Sequence, residues 1–163
     1  MNTRRSRGTF LALAVGVLMA PVVLADSPAK KDDFISVKAS ELKWSDAPSV
    51  ARGAKIAVIE GDLKAAEPFT FRLKLPPDSK IGVHTHPTVE RVTIISGSLH
   101  FAPDDKFDPA KATVYKSGDG FIVPAGMAMY AFTKKQEAVL QIHGTGPWGI
   151  TYLDPADAPS PKK

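Results

Sequence analysis

Apolar residues in the stretch 34–154 recur in short runs, each closed by a turn sequence at intervals of about eight to twelve positions, and no segment shows helical periodicity. The clearest run is 69–75, where Phe69, Phe71, Leu73 and Leu75 alternate with Thr70, Arg72 and Lys74 before Pro76-Pro77 ends it. Strict alternation puts the first set on a core face and the second outward. The same reading predicts strands at 55–60, 81–86, 90–96, 99–102, 113–116, 120–123, 129–133, 139–143 and 149–153. Glu60-Gly61-Asp62, Pro76-Pro77-Asp78, Ser96-Gly97-Ser98 and Ser117-Gly118-Asp119-Gly120 supply turns between them. The segment 104–112 is expected to be a short helix or an excursion. The pattern is that of an all-β sandwich or barrel.

The chain is 163 residues long, room for one domain with a sizeable core. Residues 1–25 read as a secretory signal, with Arg4, Arg5 and Arg7 ahead of an apolar run and Val23-Leu24-Ala25 at the cleavage positions. The apolar run is short and broken by Pro21, which argues against stable membrane insertion. Residues 26–33 are expected to be a flexible leader, 34–154 the domain and 155–163 a loose tail, in a periplasmic or secreted protein.

Charge changes the picture little. The 21 basic and 17 acidic residues give +4, but cleavage near Ala25 removes three arginines and leaves the mature chain close to neutral. Such a chain lacks the basic surface that nucleic-acid binding requires. There is no cysteine, so disulfides, thiolate metal sites and cysteine nucleophiles are excluded.

Candidate chemistry concentrates in His84-Thr85-His86-Pro87-Thr88-Val89-Glu90. His84 and His86 share a strand face, and Pro87-Thr88 turns the chain so that Glu90 returns to that side from the next strand. Two imidazoles and a carboxylate in this arrangement suit non-haem Fe(II) with open positions, and also Mn(II), Zn(II), Ni(II) or Cu(II). A bare HxH on a solvated strand face is the competing reading.

The frame around this segment resembles the cupin superfamily. Its first motif runs HxH, three residues, Glu, six residues, Gly, matched by His84, His86, Glu90 and Gly97. Its second runs Gly, five residues, Pro-x-Gly, matched by Gly118, Pro124 and Gly126. Gly97 and Gly118 also suit turns of positive φ. The resemblance spans roughly 54–153 and implies a double-stranded β-helix, that is, a jelly-roll barrel, with His84, His86 and Glu90 as metal ligands and the N-terminal strand pairing in a homodimer.

Two departures stand out. The first motif's leading glycine falls at Asp78, with Gly82 displaced toward the histidines, and the fourth ligand, usually histidine, falls at Met129. Met129 is read in three ways: core packing, an opened coordination position, or a soft ligand for copper.

Gln141 and His143 share a strand face opposite Leu140 and Ile142. If that face is the barrel interior, His143 is a replacement ligand or a proton-transfer group and Gln141 an orienting one. Otherwise His143 is a histidine at the barrel mouth. His100 is expected to face solvent, Arg91 and Glu60 to be surface charges or pocket residues, and Trp44, Trp148, Tyr130, Phe101 and Phe132 to be core or rim aromatics. Two functions fit: a metal-dependent, oxygenase-like enzyme acting on a small organic molecule, with isomerase chemistry open, or a non-catalytic exported protein that binds a metal or small ligand.

Overall fold

The structure, a computed structural model, describes residues 34–159. The signal and leader expected at 1–33 lie outside the described residues. The chain divides into two compact units, Met1–Ile35 and Ser36–Lys163. Only Phe34 and Ile35 of the first are described.

The second unit holds two antiparallel sheets. The strands are β1 (Ser45–Asp46), β2 (Lys55–Glu60), β3 (Pro68–Leu75), β4 (Lys80–Thr85), β5 (Glu90–Ser96), β6 (Ser98–Ala102), β7 (Thr113–Lys116), β8 (Gly120–Val123), β9 (Met129–Phe132), β10 (Ala138–Thr145) and β11 (Thr151–Tyr152). One sheet runs in the order β1-β2-β3-β10-β5-β8 and the other β11-β4-β9-β6-β7. The expected strands form within a residue or two of their predicted ends. The two-residue β1 was not foreseen, having too few positions to show a period.

Alternation governs the core. Phe69, Phe71, Leu73 and Leu75 of β3 are all buried, and in register with them Leu140 and Ile142 of β10 face Leu73 and Phe71. Ile94 and Val92 of β5 continue the same inner surface beside Leu140 and Ile142. Gly97 turns β5 into β6 at φ +74°. A side chain there would also strike the carbonyl of Glu137, so glycine is required twice over.

A second, smaller apolar cluster of Val83, Ala102, Tyr130 and Phe132 is covered by Phe107, Ala112 and Ala128. The excursion 104–112 contains turns and no helix, and it is pinned by Tyr130 Oη donating to Asp108 O at 2.5 Å. His100 is buried, with its ring stacked on Phe132 at 4.6 Å, which corrects the expectation that it faces solvent.

The start of the expected loose tail is also ordered. Pro155–Asp157 forms a 3-10 turn capped by the Asp154 carboxylate on Ala156 N. Asp157 accepts from Lys80 at 2.8 Å, which docks the turn against β4.

Candidate metal centre

Strand β4 carries an extra residue relative to β9. Ile81 pairs with Ala131 and His84 with Met129, with a register shift between them. Ile81 and His84 are an odd number of positions apart, yet both line the same cavity. The bulge re-aims His84 inward, after which period two carries His86 to the same side. Glu90 opens β5 and returns to that cavity across the Pro87-Thr88 turn. The turn around Pro124 is tied to this segment by Gly126 N donating to His86 O at 2.9 Å.

All three side chains are buried, with 4% of His84, 6% of His86 and 4% of Glu90 exposed. His84 Nδ1 lies 2.7 Å from Gly82 O, and His86 Nδ1 lies 2.6 Å from Gly149 O. A carbonyl oxygen can only accept, so Nδ1 carries the proton in both rings and each neutral imidazole keeps its lone pair on Nε2. Burial lowers His84 to about 4, partly offset by the Gly82 hydrogen bond. Burial likewise lowers His86, against the pull of Gly149. Both rings are therefore neutral at pH 7.

Glu90 is pushed up to about 7 by burial, with the hydrogen bond from Trp148 acting the other way. Its Oε1 accepts from Trp148 Nε1 at 2.5 Å, and its Oε2 lies 3.4 Å from His86 Nε2. With His86 neutral, that last contact is not an ion pair. The Trp148 ring also stacks on His86 at 5.7 Å and meets Phe71 edge-on at 5.0 Å. Tyr152 pairs with His84 in register and donates to Val50 O at 2.7 Å. The segment 148–157 thus supplies the hydrogen-bond partners of His86 and Glu90, and it packs on the glycine whose carbonyl holds His84.

Sequence reasoning placed Trp148 among core or rim aromatics and Gly149 at the start of a strand, and gave neither a role beside the histidines.

The donor chemistry suits a divalent ion. The pattern is two neutral imidazoles fixed through Nδ1, and a carboxylate held by a further donor, as around ligating residues. Donors about 2.1 Å from a tetrahedral ion stand about 3.4 Å apart, the separation found between His86 Nε2 and Glu90 Oε2. The set is not closed, however. Among the described residues no three His, Cys, Asp or Glu side chains are gathered as a metal-binding group. Met129 is buried and lines the cavity beside His84, its register partner on β9, at the position where the resemblance expects a fourth ligand.

Gln141 and His143 are on the outer face, which overturns the roles expected of them. Leu140 and Ile142 take the core side of β10 and line the cavity. His143 is exposed, and Gln141 accepts from Arg72 Nε at 3.1 Å. Arg91 is exposed beside His143, and Glu60 accepts from Thr70 Oγ1 at 3.1 Å on the surface. None of the four lines the cavity.

No family model matches this chain, and no curated protein does. Solved structures do. The polyketide cyclase RemF from Streptomyces resistomycificus superposes with a TM-score of 0.64 at 13% identity, covering 78% of this chain and 90% of that one. An RmlC-like cupin from Shewanella frigidimarina gives 0.54 at 16% identity over 69% and 90%. KdgF from a Halomonas species gives 0.52 at 14% identity over 70% and 94%. At these identities the likeness concerns fold, and the fold is the double-stranded β-helix of the cupins.

Proposed function

We propose that the cavity is the active site of a metal-dependent cupin acting on a small organic molecule, with His84, His86 and Glu90 holding a divalent ion, Fe(II), Mn(II) or Zn(II) before Cu. The observation that carries this reading is the pair of carbonyl anchors. Gly82 O and Gly149 O fix both imidazoles with Nε2 free, an arrangement that a merely packed histidine does not require twice in one cavity. When bound, the ion supplies Lewis-acid or oxygen chemistry. The chain's own contribution is to orient the donors, to hold Glu90 through Trp148 and to keep the site walled by apolar side chains. A fold shared with a polyketide cyclase supports an enzyme.

Non-catalytic binding of a metal or small ligand is the second reading. It is favoured by the position of His143 on the outer face, which leaves, among the described residues, no proton-transfer side chain on the cavity wall beyond the three donors. Residues 1–25 support export to the periplasm or medium, and the homodimer expected from the resemblance belongs to the same proposal.

The test is elemental analysis of the purified protein and of His84→Ala after exposure to Fe(II), Mn(II), Zn(II) and Cu(II). One ion per chain, lost in the variant, is expected. A wild-type protein that takes up none of the four ends the metal reading. Dioxygen consumption by the Fe(II) form in the presence of a bound organic molecule separates enzyme from binder.

A further inference from the structure

The walls of the cavity say what kind of molecule it takes. Its lining includes Leu73, Val92, Leu99, Phe101, Leu140 and Ile142. Among the described residues that line it, the polar side chains are His84, His86, Glu90 and Trp148, and no Lys, Arg, Asp, Asn, Gln, Ser, Thr or Tyr takes part. Those four form one cluster. His84 and His86 are 4.9 Å apart between ring centres, His86 touches Glu90, and the Trp148 N–H is already spent on Glu90. Apart from the Met129 thioether the rest of the wall is hydrocarbon and ring carbon, and except for Val50 and Ile150 it stands on strands whose backbone groups are largely used in the two sheets. The volume is ≈ 50 Å³, against roughly 10–15 Å³ for one ordered water, so the part of a ligand seated inside it has only a handful of non-hydrogen atoms.

From this we infer that the ligand of the cavity is a compact molecule with a hydrocarbon body and its polar atoms confined to one end, which meets His84, His86 and Glu90. A polyol or sugar-like molecule is disfavoured, because hydroxyls along the part of it seated in the cavity would be stripped of water against Leu99, Phe101 and Leu140 with no side chain there to receive them. The inference rests on the reading of this cavity as a ligand site, and it holds whether that site works as an enzyme or as a binder.

The test uses matched neutral probes with little power to strip a metal: 1-butanol against glycerol, and 2-butanone against dihydroxyacetone. Each is titrated into the full protein carrying ¹³C-methyl methionine. Met129 lines the cavity, so its methyl resonance reports occupancy. The methyl of Met127, which is 37% exposed, is the internal reference, and Met129→Leu assigns the signals.

Saturable shifts of the Met129 methyl by 1-butanol and 2-butanone, with the hydroxylated partners binding roughly tenfold to hundredfold more weakly, are expected. Glycerol or dihydroxyacetone binding as tightly as its partner would overturn the ligand class while leaving a ligand cavity and its metal in place. A Met129 methyl unmoved by all four probes would overturn the ligand site itself, and the metal analysis of His84→Ala would then stand separately.

Discussion

The indole Nε1–H of Trp148 donates to Oε1 of Glu90 at 2.5 Å, and the same ring stacks on His86. One side chain thereby sets the orientation of a carboxylate and an imidazole on either side of the turn between β4 and β5. Trp148→Phe keeps the ring and removes the donor. Glu90 Oε1 is then left buried without that partner, at a cost of about 1–3 kcal/mol in unfolding free energy by urea titration. The carboxyl also loses the interaction that lowers its pKa, so its ionisation, followed by carboxyl ¹³C NMR, moves to higher pH. Zn(II) affinity falls by about 10–100-fold. A variant matching wild type in all three would mean that Glu90 finds its place without the indole.

In the metal-free protein Glu90 and His84 pull stability with pH in opposite directions. Glu90, raised by burial from its ordinary 4.5 to about 7, contributes fully below pH 4.5, and that contribution is lost as pH rises through 7. His84, lowered by burial from 6.5 to about 4, contributes fully above pH 6.5 and loses its contribution as pH falls through 4. Each separation corresponds to about 3 kcal/mol, so the two nearly cancel across the shared range, while the lowered His86 adds a rise with pH. In Glu90→Gln only the histidine trend survives. Its stability should climb between pH 4 and 6.5 by about 3 kcal/mol more than that of wild type, measured in urea at fixed ionic strength. Parallel profiles would show that Glu90 ionises at its ordinary value.

Met129 is the register partner of His84 and lines the same cavity. Met129→His places a third imidazole where the set is open, which suits a tetrahedral Zn(II) site. Zn(II) affinity should rise at least tenfold in a competition titration, with a higher melting temperature in its presence. Unchanged affinity would mean that position 129 serves packing alone.

Much of this was legible in the chain, for physical reasons. Period two showed the strands because one face of each is buried, and it brought His84 beside His86 for the same reason. It could not by itself say which face of β10 was inside. Leu140 and Ile142 carried that signal, since apolar side chains alternating with Gln141 and His143 claim the core and send the polar pair outward. The contact between Trp148 and Glu90 was hidden because it spans 58 positions and depends on how segment 148–157 docks. The inward turn of His84 was hidden as well, because a bulge breaks the alternation from which facing is read.

Gly82, a mere displacement in the sequence motif, is where the C-terminal turn meets the site. A Cβ at this position would stand 2.5 Å from both Cβ and Cγ of Asp157, and the Cβ, fixed by the backbone, cannot swing aside, while the carbonyl of Gly82 holds His84 Nδ1. Gly82→Ala must therefore push the turn at Pro155–Asp157 off β4, break the bond from Lys80 to Asp157 and disturb the anchor of His84. A loss of about 1–3 kcal/mol is expected, as for overpacking in a close-packed interior, with weakened metal binding alongside it. Asp157→Gly removes the half-buried ion pair with Lys80 and adds the conformational cost of glycine in the turn, about 1 kcal/mol each, but it makes room for the new methyl group. The double variant should therefore be more stable than the sum of the two single changes predicts, by about 1 kcal/mol or more in a double-mutant cycle. Strict additivity would mean that the damage in Gly82→Ala comes from the backbone of β4 itself, and that the C-terminal turn has no part in holding His84.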